Sequence, residues 1–235
     1  MEKLVIDFHS HILPALDDGS RSVSESLHLL SASARQGITH MAATPHFHPV
    51  ESSLECFLDR RERALAQLRA VWNPALPQIL LGAEVYYFEG MSRVEQLRDL
   101  CMEGTSLFLL EMPFQTWTER MVQEVIALQE HQDVTVLLAH IERYLGAQRK
   151  NVWDELLEAG VLMQSNASFF LRWSTRRRAR RMLEAGRIHL LGSDCHNMEE
   201  RAPRMGAALA AIGEKERREL EYRSRRLTGL KGVVC

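Results

Sequence analysis

A chain of 235 residues, 46% hydrophobic and 26% charged, has the composition of an ordinary globular protein. Its formal charge of −2 argues against a partner such as nucleic acid or an anionic membrane. No apolar run approaches the roughly 20 residues of a membrane span, and the N-terminus lacks a signal peptide's apolar region, so a cytoplasmic protein without membrane insertion is expected. Cys56, Cys101, Cys195 and Cys235 form no CxxC pair and are expected to be reduced. The length suits one domain over residues 1–235.

Short apolar runs alternate with amphipathic stretches along the chain. The first strand-like run, 4–7, leads into Asp7-Phe8-His9-Ser10-His11, with Asp17-Asp18 just beyond. A helix follows over about 24–36; Ser22 and Glu25 make a capping box before it and Gly37 stops it. Strand 39–43 runs into Thr44-Pro45-His46 and then a helix over about 54–71, with Leu54, Phe57, Leu58, Leu65 and Leu68 at helical spacing. Strand 79–83 ends at Glu84, and strand 107–111 ends in Glu111-Met112-Pro113. A helix over about 119–130 precedes strand 134–139, which ends in His140-Ile141-Glu142-Arg143. A helix over about 152–158 precedes strand 161–165, which ends without a His, Asp or Glu. The next helix, about 176–184, carries Arg176, Arg177, Arg178, Arg180 and Arg181. That cluster is either a solvated helix face or a surface that meets an acidic partner. Strand 188–192 ends in Ser193-Asp194-Cys195-His196. A helix over about 203–212 and a charged tail over about 214–235, helical to about 226, complete the chain.

Seven strand–helix units in series predict parallel strands with crossover helices. A closed or nearly closed (β/α) barrel is the expected architecture, with an open doubly wound sheet as the alternative. No Gly-rich phosphate loop follows the first strand, which disfavours a dinucleotide fold. In a parallel barrel the strand C-termini share one face. Six of the seven runs carry His, Asp or Glu at that end, and this convergence is the sequence's strongest signal.

Residues two apart on a strand point the same way, so His9 and His11 can reach one metal ion; otherwise they are ordinary strand-end histidines. Asp194 and His196 repeat that spacing. Glu84 and Glu111 each end an apolar run, where a buried carboxylate needs a cation or hydrogen bonds. A salt bridge is the plainer account, but no Lys or Arg lies beside either one. His140 reads as a ligand or as a core histidine, His46 as a ligand or as a turn residue. His28, His40, His48, His131 and His189 fall outside the pattern and read as structural or surface; His48, just after His46, is the nearest to a ligand. Imidazole and carboxylate without thiolate suit manganese, iron or zinc at a catalytic site. Eight candidates are too many for one ion, so two or three divalent ions sharing a bridging carboxylate are expected.

At DFHSHILPALDDGS, ATPH, GAEVYY, LLEMP, LAHIERY and GSDCHN, in family order from residue 7 to residue 197, the chain resembles the PHP (polymerase and histidinol phosphatase) family. It is most similar to the branch of bacterial tyrosine-protein phosphatases tied to capsular and exopolysaccharide synthesis. The resemblance implies a distorted (β/α)7 barrel with a trinuclear metal site, manganese first among its ions. One ion would take His9, His11, Glu84 and Asp194; a second would share Glu84 and add Glu111 and His140; a third would take Asp18, His46 and His196. Only the resemblance favours Asp18 over Asp17. It also implies phosphate binding by Arg143 and Arg201, and phosphotyrosines of a bacterial tyrosine kinase as substrate. The ions would acidify a water for in-line attack on phosphorus, and His46 or His196 would deliver a proton to the leaving group where not fully committed to metal. Ala15-Leu16 stands where Gly-Ile is common in the branch, and Cys195 replaces a smaller residue. A homo-oligomer is left open.

Rival readings are a histidinol-phosphate-like phosphatase of the same family and a metal-dependent amidohydrolase, which shares His-x-His and a late Asp. Glu111, where amidohydrolases commonly place a bridging lysine, counts against the second. Cys195 and Arg201 satisfy C-x5-R, but their loop has no glycine and carries two acids, so a cysteine phosphatase is read as a chance match. A barrel that only binds a kinase is disfavoured because no expected ligand is missing.

Overall fold

Apolar runs and amphipathic stretches resolve into nine parallel strands and eight α-helices among the described residues, 3–131 and 133–230, of the computed structural model. The strands are β1 (Ile6–Ser10), β2 (His40–Ala43), β3 (His46–Phe47), β4 (Gln78–Leu81), β5 (Glu84–Tyr86), β6 (Leu107–Glu111), β7 (Thr135–Leu138), β8 (Leu162–Asn166) and β9 (Leu190–Gly192). The helices are α1 (Val23–Arg35), α2 (Leu54–Arg69), α3 (Glu119–His131), α4 (Lys150–Glu158), α5 (Ala167–Leu171), α6 (Arg176–Glu184), α7 (Met205–Ala210) and α8 (Glu214–Thr228). Cys235 and the side chain of His131 lie outside the described residues, as does the end of the charged tail. No described helix is long and apolar enough to cross a membrane.

The chain is an α/β single domain whose parallel sheet curls into a half-barrel. Three strands pair in the order β1-β2-β4 and six in the order β3-β5-β6-β7-β8-β9. Two of the seven expected strands, 39–43 and 79–83, are each followed after a break by a further short strand. Pro45 has no N–H to give the ladder, so β2 stops at Ala43 and β3 restarts at His46. The parallel break at Gly82-Ala83 separates β4 from β5 and puts His46 opposite Glu84 in the register. The free edge of β1 meets the segment after β9: Asp194 N–H donates to His9 O (2.8 Å) and His11 N–H to Cys195 O (2.9 Å).

β1 begins later than the expected 4–7 and runs on through Ser10. It carries a bulge, since Asp7 pairs with Met41 but Ser10 pairs with Ala43. The extra residue shifts the side-chain alternation. Phe8 joins Ile6, Leu80, Leu109 and Leu137 in a core on the concave face, and His9 sits next to it at the site. A larger core lies between the sheet's outer face and the helices, with Leu29, Leu65, Leu68, Leu128 and Leu156 fully buried. Ser22 caps α1 by accepting from Glu25 N–H, while the Glu25 carboxylate accepts from Arg21 N–H rather than from Ser22. Helix α5 was not evident from the sequence; it is one short turn and a half of Ala-Ser-Phe-Phe-Leu directly after β8. The helix expected over 203–212 is only Met205–Ala210.

Candidate metal centre

Residues from six chain segments meet at the C-terminal mouth of the strands. His9 and His11 bring their Nε2 atoms to 3.1 Å of each other and to 3.1 and 3.3 Å of Glu84 Oε2. Asp194 Oδ1 is 3.6 Å from both nitrogens. Across Glu84, His140 Nε2 stands 2.9 Å from Oε1 and 3.3 Å from Glu111 Oε1. His46 Nδ1 approaches Glu84 Oε2 (3.1 Å) and Glu111 Oε2 (3.9 Å). On the outer side Asp18 Oδ1 lies 3.4 Å from His46 Nε2 and 3.3 Å from His196 Nε2.

Three overlapping sets therefore present ligand atoms within 4.8 Å of one another: His9, His11 and Glu84; His46, Glu84 and Glu111; and His11, Asp18, His46 and His196. They differ from the expected grouping: Asp194 is not in the first set and His140 is not in the second, although both lie within 3.6 Å of site atoms. His46 also turns to the Glu84–Glu111 side, and His11 also faces the Asp18 set.

These donors fit cations better than they fit one another. Glu84 Oε2, His46 Nδ1 and His196 Nε2 are buried without a hydrogen-bond partner among the described residues, although each has a site atom within about 3.3 Å. Close approach without hydrogen-bond geometry is what lone pairs aimed at a common point produce. Two of the strand-end residues hold left-handed backbones despite having side chains, His140 at φ 31° and Asp194 at φ 54°. Such strain persists where the surroundings require it, and it concentrates at functional sites.

A second layer orients the imidazoles. Asp17 Oδ2 lies 2.7 Å from His11 Nδ1, which leaves Nε2 as the lone-pair nitrogen. Gln164 Oε1 does the same for His9 Nδ1 at 3.4 Å and also accepts from His140 N–H at 2.6 Å. Gln164 Nε2 donates to Asn166 Oδ1, and Asn166 Nδ2 donates to Asp194 Oδ2 (2.8 Å). So β8 supplies the supports rather than a candidate ligand. Gly192 is needed here, because a Cβ on it would fall 2.5 Å from His9 Cβ. The Asp17-Asp18 pair divides its labour. The Asp17 carboxylate is buried and also accepts from His46 N–H, while the Asp18 side chain is 63% exposed with its carboxylate at His46 and His196.

Burial would lower the His11 pKa, but Asp17 and Glu84 overcome it and raise it to about 10. Likewise Glu111 and Glu84 overcome burial at His140 and raise it to about 9. At Glu84 burial pushes up, yet the His9 charge and the contacts of His11 and His140 hold the carboxyl well below its usual range. Asp194 is held down in the same way by His9 and His11. Burial pushes the Cys195 thiol far above its usual range, with the Asp7 charge adding to the effect. A fully buried thiol with a raised pKa is a poor nucleophile at neutral pH, which argues against the cysteine-phosphatase rival.

Arg143 and Arg201 both reach the cluster. Each donates an Nη2–H to Asp194, to Oδ2 and Oδ1 respectively, at 2.5 Å. Phe114, 61% exposed, stacks near the His140 ring at 6.1 Å and lies 5.8 Å beneath the Arg143 guanidinium. Of the histidines set aside, His48 lies at the mouth, its ring 5.5 Å from that of His46, whereas His40 is buried on Thr39 and His189 accepts from Met163 N–H.

A parallel α/β half-barrel with imidazoles and carboxylates converging at its mouth defines the class: a domain whose clustered donors could hold metal ions beside two arginines. The chain belongs to the capsular polysaccharide synthesis CpsB/CapC family, whose model matches residues 5–225. It is 32% identical over 228 residues to the tyrosine-protein phosphatase CpsB of Streptococcus pneumoniae, covering 90% of each chain. It is 30% identical over 222 residues to the CpsB of Streptococcus agalactiae serotype V, covering 88% of this chain and 89% of that one. Its fold matches a solved chain from the crystal structures of YwqE from Bacillus subtilis and CpsB from Streptococcus pneumoniae, described as unique metal-dependent tyrosine phosphatases. The TM-score is 0.79 at 23% identity, over 97% of this chain and 96% of the other.

Proposed function

We propose that this chain is a metal-dependent protein-tyrosine phosphatase acting on phosphotyrosines of a bacterial tyrosine kinase in capsular or exopolysaccharide synthesis. The reading includes a PHP-family (β/α)7 barrel, distorted and formed by a single domain over residues 1–235, working in the cytoplasm. One observation carries it: Glu84 stands between two sets of imidazole and carboxylate donors while Arg143 and Arg201 flank the same mouth. The family relatives named as tyrosine-protein phosphatases support it.

His9, His11, Glu84 and Asp194 would hold one divalent ion, with Glu111 and His140 joining Glu84 around a second and Asp18, His46 and His196 around a third. Manganese is the first choice, iron or zinc the alternatives. Bound there, such ions supply Lewis acidity that acidifies water and neutralises phosphoryl charge. Each arginine spends one nitrogen on Asp194, which fixes its plane, and Arg201 Nη1 also lies 3.8 Å from Asp18; the other N–H groups of the forks are available to phosphoryl oxygens. Those donors act where charge develops on the phosphoryl oxygens. Phe114 offers a flat apolar surface beside Arg143, suited to an aromatic leaving group. Tyrosinate, with a parent pKa of about 10, departs readily, so a strong proton donor is not critical; His46, partly exposed at the mouth, could supply a proton only from a nitrogen not committed to metal.

Protein purified without chelator should carry two or three equivalents of metal and hydrolyse a phosphotyrosyl peptide faster than a phosphoseryl peptide or histidinol phosphate. EDTA should abolish turnover. Full activity in metal-free protein, or a preference for histidinol phosphate, would overturn the reading.

A further inference from the structure

A cavity of about 560 Å³ opens beside the arginine clamp and leads away from it. Its lining starts at Asp194, Arg143 and Arg201 and continues to Arg172, Thr175 and Arg204. The volume falls within the range of pockets that enclose whole ligands, and is far more than one phosphoryl group needs. Its acids are largely spoken for. Asp194 is held by the two arginines, and Glu142 is half-buried, accepting from Ser165 and Asn166. Only Glu200 is exposed. Arg172 and Arg204 are exposed and, among the described residues, pair with no carboxylate.

The basic helix α6 begins one residue after Thr175. Its five arginines are all exposed, and none forms an ion pair among the described residues. Their placement opposes helix stability. Arg176, Arg177 and Arg178 occupy the first turn, at the positive end of the helix dipole, with no acid beside them. Arg176 and Arg180, and Arg177 and Arg181, are like charges four residues apart. A local conflict of this kind, in a chain of net charge −2, marks a surface kept for a partner.

We propose that Arg172 and Arg204, extended by the N-terminal half of α6, dock an acidic segment adjoining the phosphotyrosine in the substrate protein. The proposal rests on the phosphatase reading for what lies next to the segment. Continuity with the candidate phosphoryl site is what favours the substrate itself over a nucleic acid or a lipid surface.

The test uses metal-loaded protein and two phosphotyrosyl peptides, one flanked by Asp and Glu, the other by Ser and Gly, with p-nitrophenyl phosphate as a substrate without flanks. The acidic peptide should have a KM at least about 10-fold lower, and the advantage should shrink as salt rises. In Arg172→Ala/Arg204→Ala the two peptides should share the neutral peptide's KM; Lys at both positions should restore part of the difference. A separate arm measures fluorescence anisotropy of a phosphate-free acidic peptide, whose binding should weaken at least about 10-fold in Arg176→Glu/Arg177→Glu. Equal KM values in the wild type overturn the proposal, as does an anisotropy response unchanged by the substitutions. Tighter binding of duplex DNA or phosphatidylserine vesicles than of the acidic peptide also overturns it. If neither peptide nor p-nitrophenyl phosphate is hydrolysed, the phosphatase reading falls, and the anisotropy arm still decides the docking surface.

Discussion

Asp17 touches no predicted ion, yet its carboxylate holds the His11 ring in the tautomer that leaves Nε2 free. Supports of this kind typically govern metal affinity by 10–100-fold. Asp17→Ala should therefore weaken metal binding by that order in a competition titration, with Asp17→Asn falling between it and the wild type. An equal affinity in all three proteins would deny Asp17 a positioning role. Ala15 is a second informative residue, held at φ 53° by Ser20, whose carbonyl accepts its N–H. Left-handed backbone costs a residue with a Cβ about 1 kcal/mol, so Ala15→Gly should raise stability by roughly 0.5–1 kcal/mol in urea melts. At this scale the ionisable residues of the mouth could be singled out from sequence, because each ends an apolar run. Gln164 and Asn166 could not, since neutral amides at a strand end carry no sign of what they hold. Neither could the division between Asp17 and Asp18, which depends on how the loop turns.

Among the elements, the order of strands and helices could be read from periodicity, and β6 and α6 even to their end residues. The breaks at Thr44-Pro45 and Gly82-Ala83 and the bulge in β1 could not, although Pro45 and Gly82 stand at the breaks. Each is a local departure that depends on how neighbouring strands register. β9 and β8 are joined partly through His189, whose Nδ1 accepts from Met163 N–H while its own N–H donates to Met163 O. Burial, aided by the Arg223 charge, lowers its pKa to about 4. A histidine of ordinary pKa in the unfolded chain then binds a proton that the folded form refuses. Its contribution is whole above about pH 6.5 and is lost as pH falls toward 4. Equilibrium melts should show the wild type losing about 2 kcal/mol more than His189→Gln across that window, after allowance for partial exposure. Parallel pH profiles would refute the assignment.

For the molecule as a whole, cation binding at the proposed centre would compete with proton binding. His11 and His140, with pKa values raised to about 10 and about 9, carry protons at neutral pH that a cation must displace. Metal affinity should therefore increase from pH 6 to pH 8, with proton release measurable by calorimetry in buffers of different ionisation enthalpy. Bound ions should also raise the melting temperature, and EDTA should remove the increment. Glu84 makes the loading unequal. One of its oxygens faces His9, His11 and His46, and the other faces His140. A single negative charge is thus divided between neighbouring positions, and the first arrival spends much of it. Later arrivals meet a less attractive carboxylate and the repulsion of an ion already seated, so the isotherm should be stepped instead of hyperbolic. In a cell where the preferred metal runs short, the population would then hold partly filled molecules, and output would track supply more steeply than total occupancy does.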